Sequence, residues 1–181
     1  MKGFVFREFI NMVDSVFGEA ESDALISSCD LPSGGAYTTV GTYDYHEMAT
    51  LVTALSERTG IPMADLLQQF GNYLFDRLVT AYPDFFEDDQ PLFGFLRDVE
   101  NKIHVEVAKL YPDAELPKFE YASGNSDRFE IVYRSCRPLG DLCLGLLEGS
   151  VRHFGDNVTI LKEPLPEDGG NATRFTLTRA A

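Results

Sequence analysis

The chain of 181 residues has the length of one domain and is long enough to build a hydrophobic core. Its formal net charge of −14 disfavours nucleic acid as a partner, because an acidic surface repels a phosphate backbone. No apolar run is long enough to span a bilayer, and the N-terminus lacks the features of a signal peptide. We therefore expect a cytoplasmic protein that does not enter a membrane. Three cysteines without a disulfide framework fit that reducing compartment.

Helical spacing dominates the first part of the chain. Apolar residues between 4 and 17 recur at intervals of three and four, which predicts a first helix. A second helix is expected over about 20–29. A third is expected over 44–58, with Asp44 as its N-cap and Gly60 just beyond its end.

Two more helices are predicted to begin at prolines. The first begins at Pro62, and Gly71 in its middle lowers helix stability, so either another element packs closely there or the helix breaks. The second begins at Pro91 and places one apolar face toward the core. His104 lies at the edge of that face, where a histidine alone is most simply a core or boundary residue. The face comprises Leu92, Leu96, Val99, Ile103, Val107 and Leu110.

From Pro117 onward the spacing changes to alternation, which indicates strands separated by a turn over 124–127. In the second strand, alternate residues lead to Tyr133, Ser135 and Arg137. Their two hydroxyls and one guanidinium would share a face of the sheet if the extended conformation continued to the arginine. The alternative is an ordinary amphipathic strand with a polar end, and the spacing within this strand alone favours that alternative.

Helical spacing returns over 139–154, and two further strands follow over 157–162 and 172–179. The order is therefore mainly helices, then strands with one inserted helix. This order predicts an α+β domain in which a helical N-terminal part packs on a C-terminal antiparallel sheet.

The spacing of five residues resembles a family signature. Twelve residues separate His104 from Pro117, and fifteen more lead to Tyr133, Ser135 and Arg137. Together with the segments MKGFVFREFINMV and LGLLEGSVRHFG, this pattern resembles the haem nitric oxide/oxygen binding (H-NOX) family, bacterial relatives of the soluble guanylate cyclase sensor domain. The resemblance covers essentially the whole chain.

The resemblance implies one haem b (iron protoporphyrin IX) within a single domain, 1–181. The haem would be buried between a helical subdomain, about 1–60, and a haem-binding subdomain, about 61–181. His104 would be the proximal ligand of the iron, which leaves the other face of a five-coordinate ferrous iron open to a gas.

The resemblance also assigns roles around the ring. Tyr133, Ser135 and Arg137 would hydrogen-bond the haem propionates, and a guanidinium beside carboxylates forms strong, charge-assisted bonds. Pro117 corresponds to a proline that presses on the haem. Val5 corresponds to an aliphatic residue against the same macrocycle, and rigid bulk there can distort the ring and tune the iron.

The gas preference follows from the distal pocket. Leu142 stands five residues after the motif arginine, where oxygen-binding members carry a tyrosine. Leu74 and Leu78 match the distal positions on the earlier helix. Three leucines provide no hydrogen-bond donor, so the resemblance implies nitric oxide binding with little oxygen binding. Tyr73 or Tyr82 could supply a donor from elsewhere.

The resemblance thus implies a stand-alone sensor of nitric oxide, and of carbon monoxide as a second gas, rather than an enzyme. Nitric oxide binding would break the bond to His104 and shift its helix, which would pass the signal to a histidine kinase or a cyclic-di-GMP enzyme. One alternative is an oxygen or redox-responsive haem protein. Another is an adaptor without cofactor, against which the retention of all five motif residues argues.

The three cysteines receive no role. Cys136 and Cys143 are expected to be packed thiols rather than metal ligands, and the sequence assigns nothing to Cys29. Residues 155–181 contain no Cys or His, so the C-terminal zinc site of some relatives is not expected.

Overall fold

A computed structural model of the chain describes residues 1–86, 90–122, 127–166 and 171–180. The turn predicted over 124–127 lies almost entirely outside the described residues. Within them, none of the helices is both long and apolar enough to cross a membrane.

Helices come first in the chain, and an antiparallel sheet with one inserted helix follows. The α-helices are α1 (Gly3–Phe17), α2 (Glu19–Ser28), α3 (Tyr45–Thr59), α4 (Met63–Ala81), α5 (Leu92–Asp98), α6 (His104–Leu110) and α7 (Gly140–His153). Shorter pieces are a 3₁₀ turn, Pro83–Phe85, and a π-helical segment, Val99–Ile103. The strands are β1 (Lys118–Ala122), β2 (Arg128–Arg134), β3 (Val158–Pro164) and β4 (Ala172–Arg179), in the spatial order β1-β2-β4-β3. The predicted α+β architecture is confirmed.

The ends of α3 lie where the sequence placed them. The side chain of Asp44 accepts a hydrogen bond of 2.9 Å from the backbone N–H of His46, which caps the first turn. Gly60 adopts a left-handed conformation, φ 74°, that ends the helix at little steric cost.

The glycine in the middle of α4 marks a close helix crossing. A Cβ atom on Gly71 would lie 2.8 Å from the Cα of Gly145 in α7 and would overlap the carbonyl oxygen of Leu142. A Cβ atom on Gly145 would in turn overlap the carbonyl oxygen of Gln68. The helix does not break, so close packing is the correct one of the two predicted alternatives.

The helix predicted from Pro91 is not continuous. Between α5 and α6 the backbone N–H of His104 bonds to the carbonyl of Val99, five residues earlier, which closes a π-helical turn. Such a turn holds one residue more than an α-turn and displaces all later residues around the axis. The predicted face nevertheless continues past this turn: Leu92 and Leu96 are buried in the core, whereas Leu110 is 65% exposed and lines a cavity. The prediction of a core face is therefore wrong only toward the end of that face.

The polar end of β2 also differs from the expectation. The strand ends at Arg134, and the chain bends so that the backbone N–H of Arg137 donates to the Ser135 hydroxyl at 3.1 Å. The regular strand thus does not reach Arg137, although the alternation of burial does, since Arg137 is buried and Cys136 before it is exposed. A side-chain bond to the nearby backbone competes with the sheet ladder at this point.

Candidate functional site

A cavity of about 380 Å³ lies between the helices and the sheet. Its size is typical of small-molecule sites, and most of its wall is apolar. Its wall is formed by side chains of α1, α4, the α5–α6 region, α7, β1 and β2, and by the connection from α6 to β1. All the site residues predicted from the sequence line this cavity: Val5, Leu74, Leu78, His104, Pro117, Tyr133, Ser135, Arg137 and Leu142.

His104 is the first residue of α6, and its side chain is 16% exposed. Its Nδ1 lies 3.0 Å from the Oε2 of Glu100, and the same oxygen accepts a bond of 3.2 Å from the backbone N–H of Phe119. The imidazole also stacks on the Phe119 ring with centroids 5.5 Å apart. Because Nδ1 is engaged, Nε2 is the nitrogen available to a ligand.

Arg137 forms a polar end of the cavity. Its side chain is 11% exposed and binds Glu115 twice, through the carboxylate and through the backbone carbonyl at 3.2 Å. The guanidinium also lies 5.7 Å from the centre of the Tyr45 ring. The geometry therefore already holds a carboxylate in this position, which is the chemistry that an acidic ligand group needs.

Tyr133 and Ser135 lie beside that arginine. Tyr133 is 4% exposed, and its burial raises the pKa of the phenol to about 12, which keeps the hydroxyl protonated near neutral pH. The Ser135 hydroxyl accepts the backbone N–H of Arg137 and remains able to donate its own proton.

The leucines form an apolar part of the wall. Leu74 and Leu142 are buried and Leu78 is half-buried, and none of them can donate a hydrogen bond. Tyr82 also lines the cavity, next to Phe4 at a ring distance of 5.8 Å, whereas Tyr73 does not line it. Burial, followed by the neighbouring Tyr111, raises the pKa of Tyr82. The cavity wall therefore includes not only the three leucines but also Tyr82, a residue with a hydroxyl group.

Sequence reasoning missed the partners of the predicted residues. Glu100 precedes His104 by four residues, the spacing at which helical side chains meet, so the signal was present. The alternating pattern around Phe119 indicated a strand but not its contact with His104. Nothing in the sequence indicated that Glu115 and Tyr45 would reach Arg137, because those contacts depend on how the loops fold back.

The cysteines differ in environment. Cys143 is buried against the cavity, and burial raises the pKa of its thiol. Cys136 is exposed, so its prediction as a packed thiol is wrong; it lies between Ser135 and Arg137, which line the cavity, and is not itself part of the lining. Cys29 is half-buried.

Comparison with known proteins places the chain in one family. The family model described as Haem-NO-binding matches residues 2–162. No curated protein sequence matched the chain.

Solved H-NOX structures match the whole fold. The Fe(II) unliganded H-NOX protein from K. algicida is 34% identical, with 100% of this chain and 97% of that chain covered and a TM-score of 0.93. The IWP-051-bound H-NOX from Shewanella woodyi, in the Fe(II)CO ligation state, is 37% identical over 99% and 95% of the two chains, with a TM-score of 0.85. An H-NOX protein from S. oneidensis in the Fe(II)NO state is 24% identical over 100% of both chains, with a TM-score of 0.91, and supports the fold alone. The chain therefore belongs to the H-NOX family of haem-binding gas sensor domains.

Proposed function

We propose that this protein is a haem-based gas sensor that binds nitric oxide at ferrous haem, binds oxygen weakly and signals to a partner enzyme. One observation carries the proposal: a single apolar cavity brings together His104, with Nε2 available, and Arg137, which already holds a carboxylate. These are the two anchors that a porphyrin with acidic side arms requires.

The residues present fit haem b. His104 would supply the axial nitrogen, and Arg137, Tyr133 and Ser135 would bind the propionates in place of the Glu115 carboxylate. Covalent attachment as in c-type haem uses a C-x-x-C-H motif, which the sequence lacks. When bound, haem iron would supply a binding site for a diatomic gas.

The chain's own residues favour nitric oxide over oxygen. Leu74, Leu78 and Leu142 exclude water and give no donor to a polar ligand. Tyr82 keeps open the alternative of an oxygen or redox-responsive haem protein, because this residue lines the same cavity and carries a hydroxyl. Carbon monoxide is expected to bind as well, and the S. woodyi relative was solved in the Fe(II)CO state.

Pro117 and Val5 line the cavity, where we propose that they press on the haem. We further propose that the helix bearing His104 shifts when the histidine is released, and that a histidine kinase or a cyclic-di-GMP enzyme in the cytoplasm reads the shift. The protein itself would not be an enzyme. The division into a helical subdomain, about 1–60, and a haem-binding subdomain, about 61–181, is part of the same proposal.

Absorption spectra of the reduced protein, without oxygen, then with nitric oxide, then in air, test the proposal. We expect a five-coordinate ferrous spectrum, a five-coordinate spectrum with nitric oxide, and no stable oxygen complex. A stable oxygen complex would show that a donor such as Tyr82 acts in the cavity. A protein without a haem band, even after haem is added, would refute haem binding altogether.

Two histidine variants provide a matched pair. His104→Ala should lose the histidine-ligated ferrous spectrum. His46→Ala should keep it, because the His46 side chain is 87% exposed and lies on α3. Loss of the spectrum in both variants, or in neither, would contradict the assignment of His104.

Arginine variants test the propionate end. Arg137→Ala should weaken haem binding about 10- to 100-fold, since hydrogen bonds to charged groups contribute roughly 1.5–3 kcal/mol. Arg137→Lys should fall between that variant and the parent, because an ammonium lacks the planar fork. Equal haem affinity in all three proteins would exclude the proposed role of Arg137.

A further inference from the structure

The side chain of Glu100 connects the histidine to the sheet. Its Oε2 lies 3.0 Å from Nδ1 of His104 and also accepts the backbone N–H of Phe119 at 3.2 Å. One carboxylate oxygen thus joins the π-helical segment, the first residue of α6 and the second residue of β1. The side chain of Glu100 is 32% exposed and that of His104 only 16%, so the contact is partly shielded from water.

These contacts fix the tautomer of the imidazole. An ionised carboxylate only accepts hydrogen bonds, so the proton of a neutral His104 lies on Nδ1 and the lone pair lies on Nε2. The ring cannot turn freely about this bond, because its face also stacks on Phe119. Orientation and tautomer are both set before any ligand arrives.

We propose that Glu100 is a positioning residue that, through Nδ1 of His104, makes Nε2 a stronger and more firmly oriented electron donor to the iron. This inference rests on the proposed haem ligation by His104 and goes beyond it. A carboxylate that accepts from the far nitrogen of a metal-binding histidine raises the basicity of that ligand. The result is a shorter, stiffer iron–histidine bond and a relative preference for ferric iron.

The first test compares glutamate variants of the haem-loaded protein by resonance Raman spectroscopy and redox titration. The iron–histidine stretching frequency should fall in the order parent, Glu100→Gln, Glu100→Ala, because the amide keeps an acceptor but loses the charge. The ferrous-to-ferric ratio at a fixed potential should rise about tenfold in Glu100→Ala, which corresponds to about 59 mV for one electron.

Glu106→Gln is the matched control. This variant removes one carboxylate from α6, the helix that begins at His104. Because Glu106 bonds Lys109 at 2.7 Å on the exposed side, both readouts should stay at parent values. An equal shift in Glu106→Gln would mean that net charge, rather than the bond to His104, sets the potential. An unchanged stretching frequency in both Glu100 variants would overturn the inference.

The second test separates the hydrogen bond from any change in packing. In His104→Gly supplied with imidazole, the added ligand still carries a second N–H, so Glu100→Gln should lower the iron–nitrogen frequency. With 1-methylimidazole no such N–H exists, and Glu100→Gln should have no effect. A Glu100 effect that persists with 1-methylimidazole would reject the hydrogen-bond mechanism.

The tests distinguish this inference from the proposed function. If the parent protein bound no haem, or if His104→Gly changed nothing in the ferrous spectrum, the function itself would fail. If haem bound through His104 but the iron–histidine stretching frequency did not change in the Glu100 variants, only the positioning role of Glu100 would be refuted.

Discussion

Two helical parts of the cavity wall are built in different ways. The helices α4 and α7 cross with their backbones in contact at Gly71 and Gly145. Polar side chains add to that crossing, since Glu148 accepts bonds of 2.8 Å from both Gln68 and Asn72. The distance between these helices is therefore set by their own backbones.

The α5–α6 side has no such crossing among the described residues. Every residue from 99 to 110 is half-buried or exposed, and Val107 and Leu110 face the cavity rather than another helix. This side is connected to β1 by the Glu100 contacts, by the stacking of His104 on Phe119, and by the Tyr121 hydroxyl, which donates to the carbonyl of Leu96 at 2.7 Å. One part of the wall is thus a fixed frame, whereas the part with His104 is held by a few hydrogen bonds and one ring contact.

The largest effect is expected from truncation in the fixed frame. Leu66 in α4 is 0% exposed, so Leu66→Ala leaves a cavity and should reduce the free energy of unfolding by about 2–5 kcal/mol. Urea unfolding of the haem-free protein measures this as a lower midpoint at constant slope. A loss below about 1 kcal/mol would mean that α4 can collapse around the gap and is not a rigid frame.

The next effect concerns the glycine crossing itself. Gly145→Ala inserts a methyl group against the backbone of α4, and overpacking of this kind costs about 1–3 kcal/mol. Gly94→Ala in α5 is the control, because the nearest atom to its Cβ would be a Pro91 ring carbon at 3.3 Å and the helix gains about 1 kcal/mol of propensity. Equal unfolding midpoints for the two variants would contradict the contrast between the two parts of the wall.

The pH dependence of stability tests the burial of Tyr133 in β2, the strand that borders the cavity. The pKa of Tyr133 is raised to about 12 by burial, so the folded state favours the neutral phenol. Its contribution to stability is fully present below pH 10 and is lost as the pH rises from about 10 to 12, at roughly 1.4 kcal/mol per pH unit.

Tyr133→Phe should remove that slope from the haem-free protein. Tyr37 and Tyr121, whose pKa values are also raised to about 12 by burial, keep a remaining slope in both proteins. The readable quantity is therefore the difference between the two unfolding curves above pH 10. Parallel curves would show that water reaches the Tyr133 hydroxyl.

The smallest effect belongs to the helix that carries His104. Val105 is 45% exposed and does not line the cavity, so Val105→Ala should change the free energy of unfolding by less than about 0.5 kcal/mol. The same urea series measures it against Leu66→Ala. A loss of 2 kcal/mol or more would mean that α6 is packed as firmly as α4.

Local signals in the sequence predicted the fold well where one residue decides one feature. Asp44 and Gly60 bound α3 as expected, because a cap depends only on its own turn. The family resemblance carried by the residues from His104 to Arg137 identified side chains that the structure brings into one cavity. For Gly71 the sequence predicted either close packing or a break in the helix, but it could not identify the element that packs there. That element is α7, which is far from Gly71 in the chain.

Features that depend on register were not predictable. The apolar spacing from Leu92 to Leu110 fits a regular helix, and nothing in it indicates a π-helical turn over 99–103. The alternation up to Arg137 similarly continues past the real end of β2, because a hydroxyl–backbone bond ends a strand without changing the hydrophobic pattern. The contact of Glu115 with Arg137 is a loop property of the same kind.

Counted along the chain, the π-helical segment Val99–Ile103 is equivalent to a one-residue insertion into a helix. Deleting one residue there would restore a regular helix and turn everything after it by about 100°, so His104 would leave the cavity although no functional residue had been changed. Exchanges of side chains in this segment, apart from that of Glu100, keep its length and preserve the direction of the histidine. Over evolutionary time, the segment should therefore accept substitutions far more readily than gains or losses of single residues.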